Sequence, residues 1–115
     1  MKILNTTKST VLVLKAEKAD TPFSRIRGLL GRASIAQDEG LIITDCRSIH
    51  MMFMKFAIDV VFVDRYHTVI GVVKNIRPFR MSPYFLRASY VVEMAPGRIE
   101  ESRTEIGDQL RIEGP

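Results

Sequence analysis

Ile58-Asp59-Val60-Val61-Phe62-Val63 is a run of β-branched and aromatic side chains interrupted by one carboxylate. A short apolar run of this kind, closed by polar residues, reads as a buried strand. Asp64-Arg65-Tyr66-His67-Thr68 follows as a hairpin connection, and Val69 to Val73 returns as the next strand. Working outward, Val11–Leu14, Leu41–Ile43, Ile49–Met54, Tyr90–Met94 and Gln109–Ile112 carry the same signature. Arg77 to Pro83 reads as a loop or an edge, because Pro78 and Pro83 each remove a ladder donor. Pro96-Gly97 and Gly107-Asp108 read as turns, which gives Gly97 and Gly107 structural roles. Lys15 to Asp20 reads as a polar exit from the first strand. Thr21-Pro22 then starts a helix that carries Phe23, Ile26, Leu29 and Leu30 on one face and ends at Gly31. The expected class is mainly β (α+β). It is a small curled sheet or partial β-barrel of about six or seven short strands, with one short helix over its open side.

The chain has 115 residues, 46% apolar and 26% charged, which suits a single domain spanning 1–115 and argues against disorder. No apolar run approaches the ~18 residues of a membrane-spanning helix. A lone cysteine, Cys46, excludes an intramolecular disulfide and any multi-cysteine zinc site. Met1 to Lys8 shows no continuous apolar stretch of the export type, so the expected location is cytoplasmic. The net charge is +4, and it is uneven. From Arg65 to Val92 there is no acid, while Arg65, Lys74, Arg77, Arg80 and Arg87 are all basic. Glu93 to Pro115 reverses that balance. Pro22 to Gln37 is also free of acid and carries Arg25, Arg27 and Arg32, so a patch attracting phosphates, nucleic acid or an acidic protein forms if the two basic segments meet, and otherwise this is a solvated surface.

Cys46-x-Ser48-x-His50-x-Met52-x-Met54 is the stretch with the most chemistry. In an extended chain these five side chains share one face. A Cys46–His50 nucleophile and base would then be separated by roughly 13 Å and could meet only if residues 46–48 turn. The same spacing limits a soft Cu(I) ligand set to adjacent residues, so methionines filling a core are the plainer reading. Asp59, set among apolar neighbours, needs hydrogen bonds or an ion pair, with Arg25, Arg27 or backbone N–H groups as candidates. A direct His50–Asp59 dyad is not expected, since a hairpin turning at Phe56-Ala57 keeps them roughly 10 Å or more apart. His67 is expected in an exposed hairpin loop. No GxSxG, HExxH, P-loop or dinucleotide glycine pattern occurs. Arg77 to Arg87 interleaves arginines with Phe79, Tyr84 and Phe85, a mixture that single-stranded nucleic-acid binders use and that also pins loops to cores.

Several of these tracts resemble a known family. They are Phe23 to Arg32, Glu39 to Ile43, Cys46 to His50, Met54 to Asp64, Asn75 to Arg80, Ala88 to Gly97 and Gly107-Asp108. Together they resemble domain of unknown function family 192, also called uncharacterised protein family 0127, of small prokaryotic proteins. The resemblance spans Ala19 to Ile112 and implies a mostly β domain without an assigned reaction, cofactor or partner. The spacing from Met54 to Asp59 is shorter than the family's commonest form, so roles are not transferred across that loop.

The working expectation is a binding module for an anionic or small-molecule ligand, contacted by His50, Arg77 and Arg80. Two classes compete with it. One is a small hydrolase-like enzyme using His50 with Asp59 or Glu93, with Cys46 as a further catalytic candidate. The other is a protein-interaction domain displaying Tyr84 and Phe85. No cofactor or metal is expected, nucleic acid is an open partner, and oligomeric state is undetermined.

Overall fold

Every side chain of Ile58–Val63 is buried, and so is every one of Tyr90–Met94. These two strands form the middle of the molecule, and alternation along them assigns its two sides. The computed structural model describes residues 1–21, 24–25 and 28–114. Within them lie β1 (Lys2–Asn5), β2 (Thr10–Val13), β3 (Lys15–Ala19), β4 (Glu39–Thr44), β5 (Ile58–Val63), β6 (Val69–Ile76), β7 (Tyr90–Met94), α1 (Arg98–Ser102) and β8 (Leu110–Glu113). One sheet runs β2-β1-β8 and the other β3-β4-β7-β5-β6. The β3–β4 ladder is parallel, and the remaining ladders are antiparallel. The fold is mainly β with a short helix, as expected, but the two sheets stay open and do not close into a barrel.

On one face of the larger sheet, Ile42, Val61, Val63, Val92 and Met94 pack with Ile3, Leu12, Ile99 and Leu110. This is a core between two sheets, closed at one end by α1. On the opposite face, Ile43, Ile58, Val60, Phe62 and Val91 pack beneath loop residues Leu29, Ile49, Met51, Met54 and Ala88. Asp59 shares the parity of Val61 and Val63, and Glu93 that of Val91. The two buried carboxyl groups therefore belong to opposite faces of one sheet.

Phe85 helps roof the loop-covered face, with its ring centroid 4.3 Å from that of Phe62. The neighbouring strand makes room for it with a glycine. A Cβ at Gly71 would lie 2.4 Å from the Phe85 ring. Gly71→Ala is therefore expected to push that ring off Phe62 and to lower stability by about 1–3 kcal/mol. Urea unfolding of the two proteins measures it, and an unchanged midpoint would mean the roof is not fixed there.

A buried polar seam joins distant parts of the chain. Asn5 Nδ2 donates to Thr104 Oγ1 at 3.0 Å and to Asp108 Oδ2 at 2.9 Å. Lys8 Nζ reaches the same carboxylate at 2.9 Å. Burial works against the Asp108 charge, but these donors and the Glu105 N–H outweigh it and hold the carboxyl below its ordinary range.

Three expectations need correction. Ile49–Met54 is not a strand. It is an irregular segment whose single ladder contact is the bridge from His50 to Met81. Asp59 accordingly faces Met94 in register, and Val63 faces Val69 and Tyr90. The polar stretch at Lys15–Ala19 is an edge strand that buries only Ala16 and Ala19, and Lys2–Asn5 is the centre of the smaller sheet. Of the expected helix, Ser24 and Arg25 are helical, and Thr21 Oγ1 accepts the Ser24 N–H at 3.1 Å. Gly28, at φ 47°, turns the chain out of helical geometry before Gly31. Pro22, Phe23, Ile26 and Arg27 lie outside the described residues.

Candidate functional site

Glu93 sits on β7 between Leu41 of β4 and Val60 of β5, on the loop-covered face. That face is roofed by two segments stitched together through their backbones. Met51 N–H donates to Arg80 O, and Phe79 N–H to Met51 O, each at 2.7 Å. Ser82 N–H reaches Ile49 O at 2.9 Å, and Phe85 N–H reaches Arg47 O at 2.8 Å. Past β4 the chain turns sharply at Asp45, where φ is 52°. The Cys46 thiol then donates to the Ser48 carbonyl at 3.2 Å. This turn replaces the extended face expected for residues 46–54. It brings Cys46, Ser48 and His50 to one wall.

The result is a cavity of about 110 Å³. Arg25, Cys46, Ser48, His50 and Glu93 contribute its polar groups, and Leu29, Ile43, Met51 and Met54 contribute apolar wall. Glu93 is 7% exposed, and burial pushes its carboxyl up to about 7. Burial also raises the Cys46 thiol, with Glu93 and Asp45 adding to the effect. A thiol shifted in that direction is a poor source of thiolate near neutral pH. His50 Nδ1 accepts the Met52 N–H at 3.3 Å, so the neutral ring carries its proton on Nε2. Among the described residues, no three His, Cys, Asp or Glu side chains gather closely enough to hold a metal ion.

The remaining sequence candidates lie elsewhere. Asp59 accepts N–H groups from Asn75 at 2.8 Å, and from Gly97 and Ile99 at 3.0 Å each. Its carboxylate is thus engaged on the far face, satisfying backbone donors at the start of α1. Gly97 and Gly107 occupy turns with φ of 94° and 98°. Arg77 and Arg80 are exposed and are not among the lining of the cavity with His50. Tyr84 is exposed, whereas Phe85 turns inward onto Phe62. His67 is exposed in its hairpin loop, and its Nδ1 lies 2.8 Å from the Tyr90 hydroxyl.

A second hollow, announced by no sequence feature, lies where β4 and β5 end and β7 begins. This open groove, near 730 Å³, is lined by Arg47, Arg65, Arg87, Tyr66 and Tyr90 among others. Arg65 lies over the Tyr66 ring at 4.8 Å, and Arg47 is tied to the Leu86 carbonyl at 3.0 Å. Its arginines come from three separate loops, so no local motif announces it. Arg25 is equally unannounced: it lines the Glu93 cavity, and its guanidinium donates to the Asp20 carbonyl at 3.4 Å.

The model of domain of unknown function family 192, described as "Uncharacterized ACR, COG1430", matches residues 3–112. A UPF0127 protein of Thermococcus sibiricus is 35% identical over 94% of this chain and 72% of its own length. A UPF0127 protein of Pyrococcus furiosus is 31% identical over 94% of this chain and 95% of its own. A crystal structure of a protein of unknown function from Novosphingobium aromaticivorans is similar in fold, with a TM-score of 0.82 at 21% identity. That likeness covers 96% of this chain and 82% of the other.

Proposed function

We infer, for a chain that belongs to domain of unknown function family 192 and inherits no reaction from it, that the cavity at Glu93 binds a small anion. The observation that carries this reading is the company Glu93 keeps. Arg25 and His50 line the same cavity, while burial keeps the Glu93 carboxyl protonated up to about pH 7. Below that pH the cavity offers a guanidinium, an imidazole Nε2–H and a carboxylic O–H, all donors, within an apolar wall. Its volume of about 110 Å³ admits a few non-hydrogen atoms. Drug-sized ligands and nucleotides occupy several hundred Å³, so only a small acid or the acidic end of a longer molecule enters. Arg77 and Arg80, outside the cavity, contribute a positive field that raises the local anion concentration.

Acetate and methylammonium serve as opposed probes, followed by the amide resonances of Gly28, Cys46 and Ile49. Acetate is expected to bind at pH 6 and to weaken as pH rises through about 7, where Glu93 ionises. Glu93→Gln is expected to keep binding and lose that pH dependence. Methylammonium binding without acetate binding would overturn the reading.

A second reading uses the same cavity for proton transfer by His50 and Glu93, supported by their shared lining. Hydrolysis of p-nitrophenyl acetate above the buffer rate, lost in both His50→Ala and Glu93→Gln, would favour it.

A further inference from the structure

Phe53 and Phe79 are 74% and 59% exposed, and their rings meet edge to face at 6.1 Å. Met81, Tyr84 and Leu86, on the same stitched pair of segments, are exposed as well. Both phenylalanines have left-handed backbone, with φ of 64° and 66°. Bulky side chains enter that region at a cost. It persists here because the bonds between Met51 and residues 79 and 80 over-determine the loops. These rings line neither the Glu93 cavity nor the arginine groove. They stand outward as a tip.

The two chain segments that carry these rings have charge of one sign. Residues 46–58 and 65–92 contain no acid, and Lys55, Arg77, Arg80 and Arg87 are exposed. We propose that this tip is an interfacial anchor for an anionic lipid surface. Phe53 and Phe79 enter the acyl boundary, and Lys55, Arg77 and Arg80 meet headgroup phosphates. A protruding apolar tip needs no shape-matched partner, which suits a fluid bilayer. Base stacking would make no use of Met81 and Leu86, which have no π face.

Co-sedimentation with vesicles of phosphatidylcholine alone, and of phosphatidylcholine with about one-third phosphatidylserine, tests this. The protein is expected on the phosphatidylserine vesicles, about tenfold above the neutral ones, with the difference shrinking as salt is added. F53G combined with F79G is expected to lose about tenfold in binding or more. Its thermal midpoint should hold or rise, because glycine takes that φ freely. R77Q combined with R80Q should reduce binding by a similar factor while leaving the apolar tip intact. Equal partitioning onto the two vesicle types overturns the proposal, as does undiminished binding by both double variants. Binding of an oligo-deoxythymidine through the same phenylalanines, with none to vesicles, assigns the tip to single-stranded nucleic acid instead.

Discussion

Asp59→Ala is expected to cost about 3–5 kcal/mol of folding stability, the largest loss of any single substitution considered. The carboxylate is 1% exposed and accepts three backbone N–H groups from β6, the turn at Gly97 and α1. Alanine leaves those donors facing each other in a site closed to water, and each unmet buried donor is penalised. Asp59→Asn should be nearly as harmful, because its amide can point an N–H at a place where donors already converge. Urea unfolding with Asp59→Ala measures the effect. A loss under about 1 kcal/mol would show that α1 and the end of β6 hold their places without the carboxylate.

Glu93→Gln should do the reverse at alkaline pH. Burial raises the folded-state carboxyl from 4.5 to about 7, so the native protein binds its proton more tightly than the unfolded chain does. Below about pH 4.5 both states are protonated and the group is neutral in its effect. Between 4.5 and 7 the unfolded state ionises first, and stability falls as pH rises. Above about 7 the penalty is complete, at about 3 kcal/mol. Glutamine carries no charge to desolvate, so the variant should be about 2–3 kcal/mol more stable at pH 8 and near parity at pH 4. Thermal melts at both values check this. A wild-type midpoint that does not fall between them would remove the buried-acid account. If acetate titration fails while this pH dependence holds, the buried acid stands as a cost of the fold and the anion-binding reading falls.

The strands read most plainly from the sequence are the two buried on both faces. β5 and β7 are apolar runs broken by one carboxyl residue each, and burial leaves such runs few alternatives, while edge strand β6 shows its apolar character only over Val69 to Val73. β1 and β3 escaped because their burial is confined to a few residues set among lysines. Ile49 to Met54 misled for a different reason. Ile49, Met51 and Met54 are buried, which begins as an alternation, but the left-handed backbone at Phe53 breaks the period and exposes that ring. Apolar character there reflects a roof and a tip, not a strand. α1 is one turn long, too short for any periodicity to register. At the site, Cys46, His50 and Glu93 were visible as polar residues in apolar surroundings. Their convergence with Arg25 depends on the turn at Asp45, and that is a tertiary fact. Membership of an uncharacterised family added the fold and left the chemistry to the residues themselves.

The smaller sheet sets a schedule for the chain's maturation. β1 lies between β2 and β8, and Lys2 is matched with Glu113 while Asn5 is matched with Leu110. β1 thus waits for β8, made more than a hundred residues later, before its second edge is covered. Contacts of such high sequence separation slow folding, because the long loop must close before the pairing rewards it. Until residue 113 emerges, Ile3 and its neighbours form an open strand edge, the stage at which the nascent chain is most exposed to pairing with another copy.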